Sequence, residues 1–135
     1  MTMLTIRDGH GELREDLDEA ELLNAIRVED SDLVGGSLNE LVLERADGTG
    51  TRLIFHHSSD GRYMVTHVDA SGQGHTAIAD GDPHETVRIG IAGDWEEWPG
   101  DHFVKPWIAV ALAECFLVNF GRDRSVEWRA SSAHR

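Results

Sequence analysis

Pro106-Trp107-Ile108-Ala109-Val110-Ala111-Leu112-Ala113-Glu114-Cys115-Phe116-Leu117-Val118-Asn119-Phe120-Gly121, followed by Arg122-Asp123-Arg124 and Ser125-Val126-Glu127-Trp128-Arg129, is the stretch whose reading decides the fold. Pro106 suits the first turn of a helix, where a missing N–H costs nothing, and Gly121 suits a left-handed C-cap. Between them only Glu114 and Asn119 are strongly polar, so the helix is apolar almost all round. That pattern predicts a buried helix rather than one laid on a surface. At about fifteen residues it is too short for a bilayer, which needs roughly 20. Beyond the cap, Val126 and Trp128 alternate with Glu127 and Arg129, the period-two signature of a half-buried strand. A central helix feeding a final strand, with sheet wrapped around it, is the expected core.

The chain has 135 residues, which makes a single domain spanning 1–135 the expectation. Twelve basic residues stand against 25 acidic ones, for a net charge of −13. A field of that sign repels nucleic acid and anionic membrane and favours basic partners or cations, although it also serves solubility. Cys115 is the only cysteine, so no disulfide can form within the chain. No charged-then-apolar N-terminal signal segment, apolar run of 18 residues or Asn-x-Ser/Thr sequon is found, and a cytoplasmic protein is expected.

Around the central stretch, the order of elements reads as α+β. Met3–Ile6 is a short strand ended by Asp8-Gly9. Asp16 with Glu19 reads as a capped helix start, Arg27 suits the C-terminal end, and Leu17, Leu22, Leu23 and Ile26 form a candidate buried stripe over Asp16–Val28. Glu40–Arg45, Thr51–His57 and Arg62–Val68 are β-rich runs joined by Asp47-Gly48 and Asp60-Gly61, a strong hairpin signal. A weak strand is expected at His75–Ala79 and another at Val87–Ile91, with Gly93–Asp101 read as an irregular loop. Together these predict a curved antiparallel sheet of about five or six strands packed on the C-terminal helix, with a second, N-terminal helix beside it.

Catalytic signatures are missing. His56 and His57 are adjacent on a strand and point to opposite faces, so only one can join His67 on a given face. There is no His-Glu-x-x-His, no paired-cysteine motif and no Gly-x-Ser-x-Gly elbow. His10-Gly11-Glu12 satisfies half of a zinc-deaminase signature, but its Pro-Cys-x-x-Cys half cannot exist with one cysteine. The expectation is no catalytic residue, no metal and no cofactor. What stands apart is Gly93–Asp101. From Asp80 to Asp101 seven acids face the single base Arg88, a net −6, with Trp95 and Trp98 interleaved. Tryptophan is a leading interface anchor, and carboxylates beside it complement a basic partner. The opposing reading is a tryptophan that roofs the core while the acids sit in water. Asp94, Trp95, Glu96, Glu97, Trp98 and Asp101 are the candidate partner-binding residues.

The order of features resembles immunity protein family 1 of bacterial polymorphic-toxin systems. The resemblance runs through Asn39-Glu40-Leu41-Val42-Leu43 to Tyr63-Met64-Val65, then Trp95-Glu96-Glu97-Trp98-Pro99. It is best over Ala113–Gly121 and Ser125-Val126-Glu127-Trp128. The resemblance implies a non-enzymatic antitoxin that binds a cognate secreted toxin with a basic, nucleic-acid-modifying domain, often a deaminase. No direct contact with nucleic acid or membrane is then expected. Two other classes stay open: a small-ligand-binding module with Trp107, Phe116 and Trp128 lining an apolar pocket, and a small hydrolase or isomerase built on a carboxylate or histidine of shifted pKa in a cleft.

Overall fold

The fold rests on a strand buried along its whole length. In the computed structural model, which describes residues 4–130, all six residues of the strand Tyr63–Val68 are buried. That strand is β4 of a six-stranded antiparallel sheet: β1 (Leu4–Arg7), β2 (Leu41–Arg45), β3 (Arg52–His57), β4, β5 (Gly74–Ile78) and β8 (Glu127–Ala130), in that spatial order. Among the described residues, two α-helices, α1 (Glu19–Arg27) and α2 (Pro106–Asn119), and a separate hairpin of β6 (Thr86–Ile91) and β7 (Asp94–Pro99) accompany that sheet. The molecule is α+β as the hairpin series predicts. Met3, the first residue of the expected opening strand, lies outside the described residues.

Alternation assigns the two faces of the sheet. Leu53, Phe55, Tyr63, Val65 and Ala77 join Leu22, Ile26, Ala109, Leu112, Ala113 and Phe116 in one core, so both helices cover that face. Met64, on the opposite face of β4, packs with Ile89 and Phe103 in a second, smaller core under the hairpin. Phe116 is fully buried, with His67 edge-on to its ring at 5.9 Å and Phe120 at 5.3 Å. Tyr63 Oη donates to the Ile26 carbonyl at 2.7 Å, giving one end-of-helix acceptor a partner and tying α1 to the central strand.

Three local expectations change. The first helix starts two residues later, because Asp18 accepts from the Glu21 N–H at 2.8 Å and Glu21 accepts from the Asp18 N–H at 3.1 Å. Asp16-x-x-Glu19 and Asp18-x-x-Glu21 both fit a capping box, and the Asp16 carboxylate instead lies 3.7 Å from Arg14. The left-handed C-cap of α2 is Phe120, φ 57°, rather than Gly121. A non-glycine cap costs energy in that region. Here its ring packs on Phe116, Arg45 lies 4.9 Å over that ring, and its carbonyl takes the His67 Nε2–H at 3.0 Å. Burial of His67 lowers its pKa, because desolvation disfavours the charged ring.

The third change concerns α2, which is not buried all round. Ala109, Leu112, Ala113 and Phe116 face the sheet, whereas Trp107 is 68% and Val118 81% exposed. Hydropathy alone does not reveal which side of an all-apolar helix meets the protein.

Phe116→Ala is expected to cost about 3–5 kcal/mol of stability by urea denaturation, since a large cavity opens beneath α2. Trp128→Ala should cost less, because that ring is only partly buried. A loss below about 1 kcal/mol for Phe116→Ala would contradict the packing.

Candidate partner-binding site

The segment read as an irregular loop is the second strand of a tight hairpin. Ala92 and Gly93 both have positive φ, 51° and 90°, the two-residue turn whose twist matches antiparallel strands. Glycine takes that conformation freely, and Ala92 is held in it by its N–H to the Leu38 carbonyl at 2.9 Å. Asn39 supplies the second tether. Its side chain donates to the carbonyls of His57 at 2.9 Å and Gly90 at 2.7 Å, and accepts from the His57 N–H at 3.0 Å. One amide therefore joins the end of β3 to β6. Low strand propensity of Asp and Glu hid β7 from sequence reasoning, although the β-rich run of β6, the two-residue Ala-Gly connection and the two tryptophans beyond it were there to be read.

Register then divides the six candidate residues. Ile89 is buried against Met64 and lies opposite Glu96, while Val87 lies opposite Trp98. Trp98 and Glu96 thus belong to the inward face, where Trp98 packs on the small core and its Nε1–H donates to Glu96 at 2.9 Å. Trp95 and Glu97 belong to the outward face with Gly90 and Arg88. The Trp95 ring lies across Gly90, where an added Cβ would stand 3.5 Å from it, and the Arg88 guanidinium sits 4.7 Å from the ring centre. Trp95 is nevertheless 66% exposed. Its ring is held in place from below and from one side, and presented to solvent. Asp94, at the hairpin tip, is exposed as well.

Asp101 does not join this surface. It follows the hairpin in a short 3₁₀ turn, Gly100–His102, and is 7% exposed. Its carboxylate accepts from His102 Nδ1 at 2.9 Å and lies 3.9 Å from Arg129, while its carbonyl accepts from the Ala79 N–H at 2.8 Å. These contacts secure the return of the chain toward α2. The outward patch is therefore Trp95 with Glu97 and Arg88, whereas Asp94, opposite Ile91, follows the register of Glu96 and Trp98 and is exposed at the hairpin tip.

The remaining chemistry is dispersed. His56 and His57 point to opposite faces as adjacency requires, and each meets a carboxylate: Glu40 at 3.1 Å and Glu29 at 2.7 Å. The hydrogen bond with His56 holds the Glu40 carboxyl below its ordinary pKa. His57 shares its face with His67 but lies opposite Tyr63, at the far end of the strand pair. Among the described residues no group of three or more His, Cys, Asp or Glu side chains is placed to hold a metal ion. The aromatic pocket does not form: Phe116 is sealed in the core, Trp107 borders one cleft and Trp128 another. Sequence reasoning also passed over an acidic cleft of about 580 Å³ beside α1, lined in part by Asp8, Glu21, Asp30 and Asp32. No helix among the described residues is long and apolar enough to cross a membrane.

Comparison with protein-family models, with curated proteins and with solved structures finds no match. The functional reading thus stands on the chain's own surface.

If the hairpin is built this way, Trp95→Ala changes folding stability by no more than about 0.5 kcal/mol, because the ring supports no core. Ile89→Ala on the inward face should cost about 2–5 kcal/mol. Equal losses for the two in urea denaturation would refute the assignment of faces.

Proposed function

We propose that this chain is a non-enzymatic immunity protein, an antitoxin that binds and neutralises a cognate secreted nucleic-acid-targeting toxin of the deaminase kind. The single observation that carries the reading is Trp95, a large aromatic left 66% exposed on a tethered hairpin of a protein at net −13. Folding does not require that ring at the surface. A rigid amphipathic ring gives contact area with little loss of conformational freedom, and truncation at such anchors commonly costs 2 kcal/mol or more of binding.

The charge supports the same reading. An enzyme that acts on nucleic acid needs a basic groove for the phosphates. Carboxylates of the hairpin region, Asp80, Asp82, Asp94 and Glu97, are exposed and can occupy that field in place of phosphate. Attraction between the two surfaces raises the encounter rate, and a desolvated Trp95 then slows separation. The proposed mechanism is occlusion of the groove, with no chemistry performed by the antitoxin. The resemblance over Trp95–Pro99 and Ala113–Gly121 supports the toxin class; the surface itself supports only a basic partner.

The test co-expresses any toxin domain encoded beside this gene with wild type, or with folded Trp95→Ala, Glu97→Lys and Trp95→Ala/Glu97→Lys variants. Wild type is expected to protect, with an association rate that falls steeply as salt is added. Trp95→Ala should raise the dissociation rate by roughly 30-fold, the equivalent of about 2 kcal/mol. Full protection by the folded double variant would remove the hairpin from the interface, and no binding by wild type would remove the antitoxin reading.

A further inference from the structure

On the helix-covered face, away from the hairpin, a cleft of about 670 Å³ opens where α2 ends and the chain turns into β8. It is lined by His75, Asn119, Gly121, Arg122, Arg124, Val126 and Trp128. In a protein with twice as many acids as bases, its arginines stand out by their company. Arg14, Arg45, Arg62 and Arg129 each lie against carboxylates. Arg7, Arg27 and Arg52 donate to oxygen acceptors, and Arg88 covers Trp95. Arg122 and Arg124 form no hydrogen bond or ion pair among the described residues, although acids outnumber bases around the whole chain.

The neighbouring polar groups point the same way. Asn119 Oδ1 is occupied by the Gly121 N–H at 2.8 Å, so its amide NH₂ is left as a donor. The His75 side chain makes no hydrogen bond among the described residues, and its Nδ1 is buried without a partner. The one acid between the arginines, Asp123, turns its carboxylate back to the Ser125 N–H at 2.9 Å, and its carbonyl takes the Trp128 indole N–H at 2.7 Å. Asp123 and the C-terminal end of α2, which contributes about half a negative charge, offset the two guanidiniums in part and leave the balance positive. The cleft thus gathers unmatched donors and positive charge beside an indole ring, within a molecule otherwise rich in acceptors.

We propose that this cleft binds a small phosphate monoester of about nucleotide size, its phosphate held by Arg122 and Arg124 with the Asn119 amide, and its ring against Trp128. Guanidinium forks match the paired oxygens of a phosphate, and the volume lies within the roughly 300–1,000 Å³ usual for small-ligand sites. The site is separate from the partner-binding hairpin, and neither depends on the other.

The probes are inorganic phosphate, AMP and succinate, each titrated to about 10 mM into the full chain at constant ionic strength, a range that detects millimolar dissociation constants. Resonances of His75, Asn119, Arg122, Arg124 and the Trp128 indole, followed by NMR, are expected to shift saturably with both phosphate probes. AMP should bind about tenfold more tightly than inorganic phosphate, and succinate more weakly than either. Arg122→Ser/Arg124→Ser should abolish the response. Arg7→Ser/Arg27→Ser, which removes two exposed charges elsewhere, should retain it. No saturable shift with AMP, tighter binding of succinate, or equal loss in both double variants would overturn the proposal.

Discussion

Burial of β4 on both faces is the constraint from which the rest of the architecture follows. Tyr63, Val65 and His67 turn toward the helices, Met64, Thr66 and Val68 turn away, and none of the six is left to water. A strand of that kind needs two covering layers. On one side α1 and α2 supply Leu22, Ile26, Leu112 and Phe116. On the other, Met64 is met by Ile89 and Phe103, so the β6–β7 hairpin must lay one of its own faces on the sheet. Because residues alternate along a strand, burying Ile89 and Trp98 obliges Trp95 and Glu97 to face outward. The feature proposed for partner binding is thus a geometric consequence of covering the central strand.

Position of the hairpin also depends on little besides that small core. Asn39 links His57 to Gly90, and Leu38 holds the turn at Ala92. Asn39 itself takes a positive φ of 52°, a conformation asparagine tolerates better than most residues. A half-buried amide with three hydrogen bonds fixes orientation as well as attachment. Rigid presentation matters for binding, since an anchor already in place loses less freedom when a partner arrives.

Local signals in the sequence were legible where local chemistry decides. Asp47-Gly48 and Asp60-Gly61 each mark a turn between β-rich runs, and those hairpins form with the expected pairing. The Pro106 start of α2 follows from proline's fixed φ and missing N–H. Where tertiary contacts decide, the signal was silent. Nothing in an all-apolar helix told Val118 from Leu112, and the left-handed cap went to Phe120 because Phe116, Arg45 and His67 hold it there. β7 was obscured by its carboxylates, yet the candidate site was half visible: tryptophans among acids marked the segment. Which of Trp95 and Trp98 faces the solvent could be settled only by register, and Asp101, adjacent in sequence, was drawn into the interior by His102 and the Ala79 N–H.

The account's central claim is that the outward face of this hairpin meets a basic partner. Amide hydrogen exchange of the chain, alone and saturated with the toxin domain proposed as its partner, tests that claim most directly. Slowed exchange concentrated in residues 86–99, with the helices unchanged, is the predicted result. Protection elsewhere with residues 86–99 exchanging as in the free protein would contradict it.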